Sequence, residues 1–261
     1  MASYQDYLLH LADNALILGQ RNAEWCGHGP ILEEDLALAN NSLDLIGQAR
    51  LLYQHVAAVR KDGKSSEDLL AYFRDVPDFK NYTLLELPHR TAILPTSSGD
   101  RDYAVTIARN FLYSAFMVQV WGALAASTDA QLAAIASKSL KEVQYHLRHA
   151  HDWVLRMGDG TPESQRRMQA ALDYLMPFTQ EFWTASAMET AAVSTGAGVD
   201  VTAFKAEWEA VVSDTLQAAT LKRPASTGFV TTGKHGVHSE HLGFVLAEMQ
   251  SLARAHPEAA W

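Results

Sequence analysis

Thiols are nearly absent. Among 261 residues only Cys26 carries one, so no disulfide forms within the chain and a reducing compartment is expected. Basic charge is scarce too. Lys and Arg number 21 against 30 Asp and Glu, a formal net charge of -9, which argues against non-specific nucleic-acid binding. No uninterrupted apolar run approaches the roughly 20 residues of a membrane span. The opening stretch lacks a basic n-region and carries Asp6, His10 and Asp13, so it is not a secretory signal. These absences point to a cytoplasmic protein with no membrane segment. There is also no Gly-x-Gly-x-x-Gly between a strand and a helix, no Walker lysine loop and no Gly-x-Ser-x-Gly elbow.

What is present is helical. Hydrophobic residues make up 48% and charged residues 20%, a globular composition that needs no metal or disulfide to fold at this length. Tyr4, Leu8, Leu11, Ala15 and Leu18 recur at helical spacing, with Ser3 and Asp6 as a capping-box variant. Cys26-Gly-His-Gly-Pro30 breaks the chain, and a second helix is expected from about Ile31 to Arg60. Its apolar positions include Leu32, Leu36, Leu43, Ile46 and Leu51, and Glu33, Glu34 and Asp35 favour its first turn.

A short helical stretch near Ser66–Phe73 follows. Residues 75–100, with Pro77, Pro88, Pro95 and the Thr96–Asp100 cluster, read as an irregular excursion. Long helices are expected over Tyr103–Ala126 and Ala130–Met157. Thr161-Pro162 caps a further one reaching toward Thr190, with a kink or break at Pro177. Thr202–Ala219 and His238–Ala255 complete the set. The Gly/Thr/Pro-rich connection Lys222–Val237 is expected to be mobile or to wrap a partner. No β-alternation or repeat intervenes, so one all-α domain spanning 1–261 is expected.

A long-helix bundle raises the question of a di-iron site, which needs Glu on two helices and Glu-x-x-His on two others. The only literal Glu-x-x-His is Glu86–His89, and its internal proline forbids a regular helical pair. Glu24 and His28 are separated by glycines. Glu142, His146 and His149 share a convincing helix, but an exposed or interfacial salt-bridged face beside Lys141 and Arg148 is the preferred reading. His235, His238 and His241 read as helix capping and interface contacts before zinc or nickel ligands. Lys234 between Gly233 and Gly236 is a weak candidate for cradling an anion. Cys26 beside His28 reads more simply as a buried thiol than as a nucleophile.

Several long stretches resemble the PaaC family, the C subunit of phenylacetyl-CoA epoxidase. They are Leu18–Pro30, Asp35–Asn40, Leu43–Arg50, Lys141–Arg148, Thr232–Gly243 and Leu246–Gln250. The resemblance implies a ferritin-like long-helix bundle with additional C-terminal helices. It also implies two companions: a related catalytic A subunit carrying the di-iron centre, and an accessory B subunit. A reductase, the E subunit, holds flavin and an iron–sulfur cluster and delivers electrons from NADPH. That complex places one oxygen of O2 on the ring of phenylacetyl-CoA as a 1,2-epoxide.

Set against the catalytic subunit's motifs, the resemblance places Glu24 at the first ligand position and Leu45 and Gln48 at a Glu and a His. It places Val143 and His146 at a Glu-x-x-His, and Ser114 at the carboxylate of the third long helix. The implication is a vestigial, metal-free site in which Gln48 and His146 bond to each other or to Glu24. No cofactor is then held by this chain, and its role is a noncatalytic scaffold for the catalytic A subunit. Self-association stays open. An alternative is a self-sufficient di-iron oxygenase using Glu24, Asp44, Glu142, His146 and His149 at shifted spacing. A third is a CoA-binding module resting on Lys222, Arg223 and the Gly233–Gly236 segment.

Overall fold

The computed structural model describes residues 4–90, 101–225 and 227–259. The expected Ser3 cap and the Pro95 to Asp100 cluster lie outside them. Four long helices carry the bundle: α1 (Tyr4–Ala23), α2 (Leu32–Arg60), α5 (Tyr103–Leu124) and α6 (Ala130–Gly158). Between them lie α3 (Glu67–Tyr72), where the short helix is expected, and α4 (Thr83–Glu86), which interrupts the excursion after residue 75. After them come α7 (Pro162–Leu175), α8 (Ala187–Ser194), α9 (Lys205–Ala218) and α10 (Glu240–Ala255). Among the described residues there is no strand beyond one isolated bridge between Thr232 and Val237. The architecture is an all-α, ferritin-like helical bundle. No helix of the described residues is long and apolar enough to cross a membrane.

The helix ends follow local chemistry. Asp129 caps α6 by accepting from the amides of Gln131 and Leu132 at 2.9 and 3.0 Å. Its other oxygen takes the Tyr4 hydroxyl and His55 Nε2, both at 2.7 Å, so one carboxylate fastens α1, α2 and α6 together. Thr161 and Ser164 form the capping box that starts α7 with Pro162 at its first position. At Pro177, of the expected kink or break, it is the break that occurs. The chain tightens into a 3₁₀ segment, Met176–Trp183, before α8.

Two readings of helix faces are corrected by the packing. Helix α1 is not one-sided: it is buried from Tyr7 to Asn22 except at Gln20, because α2, α4, α8 and α10 all pack on it. In α2 the expected apolar face points the wrong way. Leu38, Leu45, Ala49, Leu52, Tyr53 and Val56 enter the core, whereas Leu32, Leu36, Leu43 and Ile46 are exposed. The helix is apolar on both sides, so periodicity alone does not say which side meets the bundle.

The end of the connection before α10 is anchored on the chain itself. Gly233 and Lys234 are buried, and Gly233–Val237 packs over the 77–83 region of its own chain. A Cβ at Gly233 would strike the carbonyl oxygen of Asn81, and Gly236 adopts φ +80 against Pro77. This end packs on the chain's own core, while residues 227–230 of the same connection are exposed.

Candidate functional site

The seam between α2 and α6 collects the polar residues that the motifs single out. Leu45 sits on α2 with its side chain in the core, and Val143 does the same from α6. Ser114 is buried on α5. Gln48 donates its side-chain amide to Glu142 at 2.9 Å. His146 Nε2 lies 3.0 Å from Asp44, and His149 Nε2 lies 2.8 Å from Glu34. Tyr103 donates its hydroxyl to the same Glu34 carboxylate. Burial raises the Glu34 carboxyl, but the donors Tyr103, His149 and Trp153 outweigh it and hold the group below the usual range.

These pairings differ from the expected ones. Gln48 and His146 bond neither to each other nor to Glu24; each crosses the seam to an acidic residue of the facing helix. The reason is side-chain direction. On α2, Asp44 lies about 100° round the helix from Leu45, on the side that faces α6. The expected salt-bridged face on α6 is interfacial, with Glu142 bridging Gln48 and Lys138, the latter at 3.0 Å. Lys141 and Arg148 take no part in it.

Glu24 belongs to a different corner. It lies just beyond α1, bound by Arg21 at 2.7 Å and 3.3 Å from His89 Nε2. Burial raises its carboxyl, yet the hydrogen bond from His89 and the charge of Arg21 prevail and lower it to about 2. His89 is fully committed. Its Nε2 faces the Arg21 carbonyl at 2.8 Å, and its Nδ1 faces Thr106 at 2.6 Å and the Trp25 indole N–H at 3.3 Å. Desolvation lowers this imidazole to about 4, so it is neutral at pH 7. The corner opens onto a cleft of about 640 Å³ floored by Arg21, Glu24 and His89.

The fit to two irons therefore fails on the donor set. At the positions that the resemblance makes iron ligands, hydrocarbon stands at 45 and 143 and an amide at 48. Glu24 shares no partner with the seam, and Gln48, His146 and His149 are each engaged with an acidic side chain. The shifted set is divided likewise: Asp44, Glu142, His146 and His149 line the seam, while Glu24 stands apart. Among the described residues no three His, Cys, Asp or Glu side chains gather as a metal-holding group. Cys26, expected to be buried, is exposed, because it lies in the turn after α1 and Trp25 takes the core position.

The other candidate positions also resolve into internal contacts. Lys234, the expected anion cradle, has its ammonium buried against Glu189 at 2.9 Å and bonded to the Thr184 carbonyl. The cradle exists, but its anion is the chain's own Glu181. That carboxylate accepts from Lys234 N at 2.9 Å, Thr83 N at 3.0 Å and the Thr231 hydroxyl at 2.7 Å. Arg223 is paired with Glu209 and lies over Trp208. His238 is an interface contact, bridging Glu86 at 2.7 Å and the Phe79 carbonyl at 2.8 Å, while Ser239 caps α10.

Sequence reasoning missed one buried cluster entirely. Asp13, inside α1, accepts from the Tyr53 hydroxyl at 2.6 Å and from Lys80 N at 2.8 Å, and pairs with Arg74. The signal was visible as an aspartate in the middle of an apolar helix, since a buried carboxylate requires partners.

A family profile described as phenylacetic acid catabolic protein matches residues 2–261. The chain is 43% identical over 255 residues to an Escherichia coli (strain K12) protein, named as the C subunit of 1,2-phenylacetyl-CoA epoxidase, covering 98% of each.

Proposed function

Because the chain belongs to the phenylacetic acid catabolic protein family, we propose that it is the noncatalytic structural subunit of a phenylacetyl-CoA epoxidase of phenylacetate breakdown. In this reading the whole chain acts as one cytoplasmic helical domain. The di-iron chemistry belongs to a catalytic A subunit, and an accessory B subunit completes the complex. Electrons arrive from NADPH through the flavin and iron–sulfur reductase, the E subunit. The chain scaffolds the catalytic A subunit while the complex binds phenylacetyl-CoA.

One observation carries the catalytic silence. Leu45 and Val143 occupy the positions of two ligand carboxylates, and Gln48, His146 and Glu24 are held by Glu142, Asp44 and the Arg21–His89 pair. These are the remains of a metal site rebuilt as helix-to-helix contacts. The engaged state of Lys234 and Arg223 speaks against a separate CoA-binding module at those residues.

The test is reconstitution. The purified chain is assayed for iron and for O2 or peroxide reactivity, and then added to the di-iron subunit. Expected are no stoichiometric iron in this chain and epoxidation that needs both chains. About two irons per chain with oxygen reactivity, or a partner fully active without it, would overturn the reading.

A further inference from the structure

A cation without a counter-charge lies behind the cleft at Glu24. Arg109, on α5, is completely buried, and among the described residues no carboxylate is bonded to it. Its Nη2 donates to the Pro88 carbonyl at 2.9 Å, while Nε and Nη1 have no hydrogen-bond partner. Buried arginines are otherwise paired, because an ionised group taken out of water without a counter-charge is costly. Desolvation, and then the like charge of Arg21, bring this guanidinium down to about 9, so it is still a cation at pH 7. A methionine or leucine would fill the same volume without that cost.

The place of Arg109 gives the charge a direction. Pro88, which accepts the one bond it makes, is part of the wall of the 640 Å³ cleft. The guanidinium also interacts electrostatically with Glu24 and His89 on the cleft floor. Arg101 is exposed at the rim, and the first turn of α10 brings His241 and Phe244 to the opposite side. That helix presents its N-terminus, the positive end of its dipole, to the cleft. The imidazole of His241 responds to these surroundings: burial, and then the charges of Arg21 and Arg90, lower it. Two acids oppose the field only weakly. Glu24 is neutralised by Arg21, and Glu240 is exposed to water. Arg21 itself is committed to Glu24 and to the Glu86 carbonyl, so it adds charge to the cleft but no free donor.

We propose that this cleft binds a phosphate group, seated between Arg101, the N-terminus of α10 and the Pro88 wall, with Arg109 supplying counter-charge from behind the wall. Positive groups converge there from three sides, which suits a tetrahedral anion with several acceptor oxygens better than a planar carboxylate. Phe244, 67% exposed at the rim, offers a flat apolar surface to an aromatic base carried by that phosphate. The proposal rests on the cleft and on Arg109, and it is independent of the scaffold reading.

The test is calorimetric titration of the full-length chain at low ionic strength with inorganic phosphate and with AMP, against sodium chloride of matched ionic strength. Saturable phosphate binding is expected, together with a higher melting temperature in phosphate. R101E is expected to weaken binding at least about tenfold and to melt like the ligand-free wild type, because Arg101 is exposed. R109M is expected to weaken binding by a similar factor and to melt at or above the ligand-free wild type, because it removes an unpaired buried charge. Tighter binding of AMP than of phosphate, with the gain lost in F244A, supports the site as one for a nucleotide; equal affinities support it as one for free phosphate. No saturable binding of phosphate, or heats reproduced by chloride, would overturn the proposal. So would an affinity indifferent to R101E or to R109M.

Discussion

Leu45 and Val143 decide what the α2–α6 seam can do. Replacing Leu45 with Glu puts a carboxylate into a site whose neighbours are core side chains, with no cation in place to receive it. The expected loss is about 2 kcal/mol or more, read from the urea midpoint at pH 7. Leu45→Met should remain within about 1.5 kcal/mol. Asp44→Asn, by contrast, alters a half-exposed partner of His146 and is expected to cost no more than about 1 kcal/mol. The hydrocarbon at 45 and 143 was legible in the motifs. The partners of Gln48 and His146 were not, because they depend on which residues of a second helix lie opposite. A register shift of one position would have exchanged Asp44 for Leu45.

Among the elements, the Gly233–Val237 strap shows where composition misleads. Its glycines correctly announced irregular backbone, and nothing in them announced burial. The strap is fixed by Glu181 and by the Lys234–Glu189 pair, both groups arriving from residues about fifty positions earlier. Lys234→Met leaves Glu189 buried with no cation and is expected to cost roughly 3–5 kcal/mol. The double variant Lys234→Met, Glu189→Leu should recover much of that loss. A double-mutant cycle in denaturant measures it, and additive losses would refute the coupling. Gly233→Ala should destabilise as well, since its methyl meets the Asn81 carbonyl and the Thr83 amide; a variant melting at the wild-type temperature would refute that contact.

Across the whole molecule, buried imidazoles set the acid limit. Desolvation lowers His10 and His89 to about 4, against 6.5 for an unburied group. Below pH 6.5 the unfolded chain takes up protons that the folded chain refuses, so stability falls as pH drops from 6.5 toward 4. Each histidine contributes a slope of about 1.4 kcal/mol per pH unit within that window. Glu24, lowered to about 2, adds a second loss below its ordinary value of 4.5. His238 has the opposite sign. Burial lowers it, the Glu86 carboxylate and Phe79 carbonyl raise it above 6.5, and its contribution is complete below that pH and fades as pH rises. Denaturant midpoints measured from pH 7 to pH 4.5 should decline, and replacing His10 and His89 with Gln should flatten the curve. A flat wild-type profile would show that both imidazoles are protonated within the fold.

The sequence by itself determined the helical class, most helix ends and which side chains stand at 45, 48 and 143. Each of these depends on residues near one another in the chain: caps, breakers and the identity of a side chain at a motif position. Only the tertiary structure decided which side of α2 is core, where Lys234 and Glu181 end, and that Glu24 stands apart from the seam. A helix with apolar residues on both faces, or a charge with several possible partners, has no preferred environment until its neighbours are in place.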